Sequence, residues 1–244
     1  MELSNKIIVI TGASKGLGRE TAMRLARQAS DVILVARTES LLLQVQEQIR
    51  ATIGKTPFVI QCDISLESDV DRMASTIKQN YSRIDILVNN AGFGIYQPSE
   101  HISNQEMRRH FEVNFFGTYY CIKALLPLLK ESEAGYVLNV GSLFSRVALA
   151  ENSVYAATKF ALSGFTEGLR HELRPLGVRV GLLLLGAMAT SFQDNRREGA
   201  IRSPMALDPR KVARVAEAMI CRQKKTVTLP AWMLTALKLK YSFT

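Results

Sequence analysis

The chain has 244 residues, of which 47 % are hydrophobic and 22 % are charged, and its formal net charge is +9. This balance predicts a globular protein with a large core and excludes a disordered or fibrous chain. The longest nearly unbroken apolar stretch, residues 180–189, is half as long as a membrane-spanning helix, and no signal-peptide pattern opens the chain, so we expect a cytoplasmic protein.

Short apolar runs alternate with segments whose apolar residues recur at helical spacing. The predicted strands are residues 7–11, 32–36, 58–62, 84–88, 136–140, 178–184 and 226–229. The predicted helices are residues 17–28, 40–51, 68–81, 104–130, 154–174 and 209–222. This alternation predicts an α/β fold of one domain: a Rossmann-type, doubly wound parallel sheet of about seven strands with helices on both faces.

Two segments near the C-terminus stand apart from this alternation. Residues 186–207 contain Gly186, Gly199, Pro204 and three arginines, and they follow the carboxyl end of a predicted strand. Because ligands bind at that edge of such sheets, a lid over the substrate and an ordinary surface loop are both open interpretations. We assign residues 1–230, with this segment, to the domain and residues 231–244 to a basic, apolar tail.

A glycine-rich turn joins the first predicted strand to the first predicted helix. It comprises residues 11–18 and reads TGASKGLG. Glycines allow the backbone to approach a pyrophosphate closely, and a helix N-terminus presents N–H groups to it. The spacing differs from the general dinucleotide-binding pattern, so a plain tight connection remains the alternative at this point.

The end of the second predicted strand distinguishes between nicotinamide cofactors. An acidic side chain there would bind the ribose 2′-hydroxyl of NAD, whereas this chain has Arg37. The Arg37 guanidinium, with Ser14 and Lys15 in the glycine turn, suits a 2′-phosphate. We therefore predict NADP(H) rather than NAD(H), although Glu39 is close by and Arg37 would also suit a solvated loop.

Polar residues that can carry acid–base chemistry follow later strands. The sequence NNAG occupies residues 89–92, Asn114 lies inside the long helical segment, and Ser142 follows the fifth predicted strand. Tyr155 and Lys159 are four residues apart and therefore share one helical face. A neighbouring ammonium lowers the pKa of a tyrosine from its usual value of about 10 towards the working range of an enzyme.

Together these residues resemble the short-chain dehydrogenase/reductase family in its compact form. TGASKGLG, NNAG, Asn114, Ser142 and YAATK occur in that family's order, with Ser142 thirteen residues before Tyr155, and the resemblance covers roughly residues 4–230. It implies an NADP-dependent oxidoreductase that interconverts a carbonyl and an alcohol. It also implies a homodimer or homotetramer joined through residues 104–130 and 154–174.

The resemblance assigns roles to individual residues. Tyr155 would exchange a proton with the substrate oxygen, and Ser142 would hold and polarise that oxygen. Lys159 would lower the tyrosine pKa and bind the nicotinamide ribose, and Asn114 would hold a water of the proton relay. The other residues that the resemblance places on the cofactor are Gly12, Ser14, Gly16, Leu17, Gly18, Asp63, Ile64, Asn90, Ala91, Gly92, Gly186, Met188 and Thr190. The charge argument above adds Lys15 and Arg37.

Three features depart from the family pattern. One of them, the turn at residues 28–31 where the family tends to have glycine, concerns folding rather than chemistry. Leu185 precedes Gly186 where the family usually has proline, which removes a restraint on φ at the start of segment 186–207. Residues 231–244 match no motif of the family, and they mix apolar residues with lysines. Docking of this tail on its own domain or on a partner subunit is our expectation, with weak peripheral membrane contact as the alternative.

The residues expected around the reacting carbon are apolar or aromatic, which favours a hydrophobic ketone or aldehyde as substrate. Packing beneath the loops explains half of them equally well. They are Phe93, Ile95, Tyr96, Leu143, Phe144, Met188 and Phe192.

The alternative from another class is an NADPH-binding regulator. Its basic C-terminal region would contact a partner, because residues 193–244 contain 11 Lys and Arg against 4 Asp and Glu, whereas residues 1–192 contain 20 against 18. The same pattern also suits a solvated helix face with a basic tail. The complete set of Asn114, Ser142, Tyr155 and Lys159 argues against a pure sensor. No nucleic-acid-binding motif is present, so we expect no such partner.

Cysteines and histidines show no ligand spacing, so we expect no metal site. The three cysteines are far apart, which predicts buried thiols in a reducing compartment rather than disulfides. His101 and His110 flank a polar segment, and we expect surface or capping roles for both.

Overall fold

The computed structural model describes residues 1–29, 31–189, 206–233 and 235, and its strands form one parallel sheet. The order across the sheet is β3-β2-β1-β4-β5-β6-β7. This arrangement confirms the predicted fold class, and each predicted strand end lies within two residues of the observed one. The strands are β1 Ile7–Thr11, β2 Asp31–Ala36, β3 Phe58–Gln61, β4 Ile86–Asn89, β5 Tyr136–Val140, β6 Arg179–Leu185 and β7 Thr226–Leu229.

Helices cover both faces of the sheet. They are α1 Gly16–Leu25, α2 Glu39–Ile53, α3 Glu67–Asn80, α4 Asn104–Phe111, α5 Gly117–Lys130, α6 Ser153–Leu173 and α7 Pro209–Arg222. The predicted helix 104–130 has the right span, but a π turn at Glu112–Phe116 divides it into α4 and α5. The other predicted helices match single observed helices.

The strands are apolar on both faces because the sheet is buried on both faces. In β1, Ile8 and Ile10 pack in the core beneath α1, α2 and α7. Val9, between them, packs in the core beneath α3, α5 and α6. The alternation of side chains along a strand therefore divides one apolar run between two cores.

Hydrogen bonds hold the two ends of segment 186–207 together at the carboxyl edge of the sheet. Met188 and Leu207 form a parallel β-bridge, in which Ala189 N donates to Leu207 O at 3.0 Å and Leu207 N donates to Ala187 O at 2.8 Å. Gly186 N donates to Leu229 O of β7 at 2.8 Å. The predicted lid lies mostly outside the described residues, as does the predicted tail 231–244, and both remain predictions.

Cys62 and Cys121 are buried as predicted, and Cys221 is half-buried; all three are free thiols. No group of three or more His, Cys, Asp or Glu side chains in the described part of the chain has metal-binding geometry. Within the same residues, no helix has the length and apolarity needed to cross a membrane.

Candidate active site

The glycine turn lies where the strand order reverses, between β1 and β4. Gly12 and Gly16 have φ of +66° and +56°, a region that L side chains rarely adopt. A Cβ on Gly12 would lie 2.8 Å from Ala91 Cα, and one on Gly18 would lie 2.6 Å from Asn90 Nδ2. The turn therefore has no room for side chains at its two closest approaches to the β4 loop.

A set of hydrogen bonds joins this turn to the loop that follows β4. Thr11 Oγ1 accepts from the backbone N–H groups of Asn90 and Ala91, both at 3.1 Å. The Asn90 side chain donates to Thr11 O at 3.1 Å and to Gly12 O at 3.2 Å. The predicted motifs TGASKGLG and NNAG thus form one hydrogen-bonded unit.

The N-terminus of α1 suits the phosphates of a dinucleotide. Its N-cap residue is Lys15, whose side chain makes no capping hydrogen bond, and its first turn has no acidic residue. The first N–H groups of a helix without such partners, with a lysine beside them, attract an anion. Together with the closely packed glycines of the turn, these N–H groups fit the pyrophosphate of a nicotinamide cofactor.

Arg37 is exposed directly after β2, on the same edge of the sheet. Its backbone oxygen accepts from Gln61 Nε2 at 3.0 Å, and among the described residues no ion pair engages its guanidinium. Asp63 is held in the loop after β3, where Oδ1 accepts from Ser65 N at 3.0 Å and from Ser65 Oγ at 2.7 Å. Ile64 beside it is buried. The residues predicted for the adenosine half therefore lie on neighbouring strand ends.

The four predicted acid–base residues meet at the ends of β4 and β5. Tyr155 and Lys159 share one face of α6, and the Lys159 Nζ lies 5.9 Å from the centre of the Tyr155 ring. Each is only 5 % exposed. Ser142 Oγ, which directly follows β5 and Gly141, accepts from Phe144 N at 3.2 Å and lies 3.4 Å from Leu185 O.

Burial dominates the electrostatics of this pair. It raises the pKa of Tyr155 to about 12, and hydrogen bonds from the side chains of Ser142 and Tyr96 act in the opposite direction. Burial also lowers the pKa of Lys159 to about 8, while its Nζ donates to Val140 O at 3.2 Å. The lowering of the tyrosine pKa by Lys159 stays a prediction; in this structure its Nζ lies 5.9 Å from the centre of the Tyr155 ring.

Asn114 occupies the π turn, a wider turn that is frequent at functional sites. Its Nδ2 donates to Phe93 O at 2.8 Å and to Thr158 Oγ1 at 3.2 Å, and its Oδ1 accepts from Phe93 N at 2.9 Å. A Cβ on Gly92 would lie 3.1 Å from Asn114 Oδ1 and 3.7 Å from Lys159 Nζ. Asn114 thus lies beside Lys159 and fixes the loop after β4.

The expectation of a surface or capping role is wrong for His110, which is fully buried. Its Nδ1 lies 2.9 Å from Glu106 O, and its Nε2 accepts from Ile95 N at 2.9 Å. Its ring stacks on that of Phe93, with centroids 4.6 Å apart. Burial lowers the pKa of His110, so the ring is neutral and Nδ1 carries the proton.

The residues predicted around the substrate divide into two groups. Tyr96 and Phe144 lie edge-on to the Tyr155 ring, with centroids 5.5 Å and 6.0 Å away. Phe93 instead packs on His110, and Leu143 is buried. Met188 is half-buried at the β-bridge, whereas Phe192 lies outside the described residues, as does Thr190 of the predicted cofactor site.

Comparison with known proteins shows one family throughout. The family model described as short chain dehydrogenase matches residues 6–200. A 3-ketodihydrosphingosine reductase of Bacteroides thetaiotaomicron is 32 % identical over 191 residues, which cover 78 % of this chain and 67 % of the relative. Two relatives from Staphylococcus saprophyticus, each 32 % identical to this chain, are named as uncharacterized oxidoreductases.

Solved structures agree, and their cofactors differ. A short-chain dehydrogenase of Shigella flexneri in complex with NADP has a TM-score of 0.86 at 30 % identity, covering 93 % of this chain and 97 % of that one. A short-chain dehydrogenase/reductase of Burkholderia phymatum in complex with NAD has a TM-score of 0.90 at 25 % identity, covering 99 % and 95 %.

Substituting Gly18 with alanine tests whether the glycine turn binds the cofactor. The added Cβ overlaps Gly12 O and Asn90 Nδ2, so the turn must move, and we expect NADPH affinity to fall by about 10-fold or more. Isothermal titration calorimetry measures this. Gly54→Ala is the matched control: it lies in open space at the end of α2, where its positive φ costs about 1 kcal/mol of stability. Equal loss of NADPH binding in both variants would contradict the assignment.

Proposed function

The chain belongs to the short-chain dehydrogenase family, and from this premise we propose that it is an NADP(H)-dependent oxidoreductase that interconverts a carbonyl compound and an alcohol. The observation that carries the proposal is the buried group of Tyr155, Ser142 and Lys159. This group lies at the same edge of the sheet as the glycine turn. A proton donor beside a dinucleotide cradle is the arrangement that carbonyl reduction requires.

The residues divide the work of the reaction. The nicotinamide, when bound, supplies or accepts the hydride. Ser142 holds the substrate oxygen, and Tyr155 donates its Oη proton to that oxygen during reduction or accepts it during oxidation. Lys159, whose pKa of about 8 keeps it mainly protonated at neutral pH, offsets the charge of the phenolate. Asn114 fixes the loop beside them and holds the water of the proton relay.

Arg37 and Lys15 support the preference for NADP(H). Both are exposed basic side chains at the carboxyl edge of the sheet. Lys15 lies in the glycine turn after β1, and Arg37 directly follows β2. A guanidinium binds a phosphate with two parallel hydrogen bonds, and no acid occupies the tip of β2 to bind a free ribose hydroxyl. Because the structural neighbours include complexes with NADP and with NAD, the preference rests on these side chains.

A hydrophobic ketone or aldehyde is the substrate class that we propose. The rings of Tyr96 and Phe144 border Tyr155, and Leu143 lies next to Ser142. Such walls favour an apolar chain beside the carbonyl. The Bacteroides relative is, by its name, the reductase of a keto compound. A regulatory role is not proposed, because a sensor has no use for a buried proton donor with its partners.

A homodimer is the assembly that we propose, joined through α5 and α6. Aromatic side chains form a contiguous cluster there, with ring centroids 5.3–6.3 Å apart, and the cluster consists of Phe115, Phe116, Tyr119, Tyr120 and Phe165. Phe116 of this cluster and Phe160 of α6 are 41 % and 44 % exposed. Exposed aromatic groups of this kind mark protein interfaces. The cytoplasmic location and the weak membrane contact of the tail remain predictions.

Removing the Tyr155 hydroxyl tests the proposed activity directly. In Tyr155→Phe we expect NADPH-dependent reduction to fall by about 100-fold to 10,000-fold, because general acid catalysis contributes on that scale. Turnover is followed in the reduced-nicotinamide absorbance band over a panel of keto-lipids, ketones and aldehydes. NADPH binding should persist, and the control Tyr81→Phe, which removes a hydroxyl near the C-terminal end of α3, should retain full turnover. Survival of most activity in Tyr155→Phe would remove Tyr155 from this role.

Reversing the charge at Arg37 tests the cofactor preference. Arg37→Asp repels a 2′-phosphate and accepts from a 2′-hydroxyl, so the ratio of NADPH to NADH efficiency should fall by about 10-fold or more. The control Arg179→Asp changes an exposed arginine at the other end of the sheet and should keep the ratio. An unchanged ratio in Arg37→Asp would overturn the cofactor argument.

The proposed dimer is tested by placing charges on the aromatic surface. Phe116→Glu and Phe160→Glu should each yield monomers, because a carboxylate cannot be buried unpaired in an apolar interface. Light scattering after gel filtration gives the mass. Leu43→Glu, at an exposed leucine of α2, is the control that should leave the mass unchanged. A wild-type monomer, or dimers in both variants, would refute the interface.

A further inference from the structure

A buried histidine lies beside the proposed site and takes no part in its acid–base chemistry. His110 belongs to α4, and its side chain is fully buried. A buried imidazole is costly unless both of its ring nitrogens have hydrogen-bond partners. Here Nδ1 lies 2.9 Å from Glu106 O on the same helix, and Nε2 lies 2.9 Å from Ile95 N in the loop after β4. The ring therefore joins the helix to the loop.

The two backbone partners determine which ring nitrogen carries the proton. A carbonyl oxygen only accepts, so Nδ1 of His110 donates to Glu106 O, and a backbone N–H only donates, so Nε2 accepts from Ile95 N. Burial also lowers the pKa of His110, which favours this neutral form of the ring. The hydrogen bond from Ile95 N therefore needs a side chain at residue 110 that can accept at this point.

Two successive contacts hold the loop after β4 against α4 and the π turn. The Phe93 ring stacks on that of His110, with centroids 4.6 Å apart and planes inclined by 20°. The Asn114 side chain accepts from Phe93 N at 2.9 Å and donates to Phe93 O at 2.8 Å. Ile95, two residues further along the loop, is held by His110. Asn114 therefore fixes the start of the loop, and His110 fixes the part that follows.

Tyr96 comes directly after the residue that His110 holds, so this hydrogen bond helps to set its position. The Tyr96 ring lies edge-on to the Tyr155 ring, with centroids 5.5 Å apart. It also lies over Gly94, since a Cβ there would be 2.9 Å from Tyr96 Cζ. Tyr155 belongs to α6, which is a separate element from this loop. A shift of the loop would therefore move a wall of the proposed substrate site while the proton donor stays on its helix.

We propose that His110 is a positioning residue that determines substrate specificity: by accepting from Ile95 N it fixes the Tyr96 wall and favours carbonyl compounds with an apolar group beside the carbonyl. The inference rests on the proposed function and adds no chemical step to it. A fixed wall contributes binding energy to a substrate that is long enough to contact it. A short ketone that reaches only Tyr155 gains little from the wall. Loss of the hydrogen bond should therefore weaken the turnover of long apolar substrates selectively.

Replacing the histidine with a ring that cannot accept tests this role. His110→Phe keeps an aromatic ring beside Phe93 and leaves Ile95 N without its acceptor. The comparison is between the most efficient apolar ketone of the panel and its shortest homologue that is turned over. The ratio of their kcat/KM values should fall by about 10-fold, mainly through KM of the longer ketone, which is the scale of one hydrogen bond. NADPH affinity, measured by calorimetry, should stay at the wild-type value.

Three further variants separate this role from a general loss of structure. His110→Gln supplies an amide oxygen that can accept from Ile95 N, so it should restore the ratio to within about 3-fold of the wild type. His101→Phe is the matched control, because it removes an exposed histidine shortly before α4 and should keep the wild-type ratio. If His110→Phe does not fold, His110→Asn repeats the test, since its amide can donate to Glu106 O and is too short to reach Ile95 N.

The hydrogen bond itself can be measured without turnover. In nuclear magnetic resonance of isotope-labelled protein, a scalar coupling between Ile95 N and His110 Nε2 passes through an N–H···N hydrogen bond. We expect this coupling in the wild type, with the proton of the ring on Nδ1. Absence of the coupling, or a proton on Nε2, would overturn the proposal.

The kinetics give two more outcomes that would contradict the role of His110. One is a wild-type ratio in folded His110→Phe. The other is an equal loss of kcat/KM for the long and the short ketone, which a general loss of structure would cause. A wild-type protein that shows the coupling but reduces no member of the panel would instead contradict the proposed function, and the specificity role with it. The two kinds of failure are therefore distinguishable.

Discussion

The hydrogen bonds between Thr11 and the Asn90 segment are the constraint on which the site depends. They join the end of β1 to the end of β4, the two strands between which the chain reverses its direction across the sheet. On one side of this link lies the glycine turn, and on the other lies the loop that carries Tyr96. The same few hydrogen bonds therefore position both the proposed cofactor site and Tyr96, whose ring lies beside Tyr155.

Local sequence patterns predicted most of the fold because each pattern depends on interactions within one strand or one helix. The apolar runs of β1 and β5 are buried in the sheet, and their predicted bounds match the observed ones. The motif residues Ser142, Tyr155 and Lys159 could be placed together because strand ends share one edge and residues four apart share one helix face. The spacing of residues along the chain was sufficient to predict the position of a side chain wherever a single strand or helix determines it.

Positions that depend on packing between elements were not predictable in this way. His110 belongs to a polar segment, yet the loop after β4 covers it and bonds to its ring. Burial raises the pKa of Tyr155, whose ring contacts Tyr96 of the loop after β4 and Phe144 of the segment after β5. A motif identifies such residues, but their protonation depends on distances that the spacing of residues along the chain does not contain.

The π turn at Glu112–Phe116 has a consequence for how this chain tolerates changes of length. A π turn takes one residue more than an α turn, so it shifts the phase of every side chain beyond it. Losing that residue would preserve a continuous helix but rotate α5 by about 100° relative to α4. His110 would keep its orientation on α4, while the aromatic cluster that includes Phe116 and Tyr119 would turn away. The number of residues in the π turn therefore sets how the proposed dimer surface is oriented relative to the acid–base site.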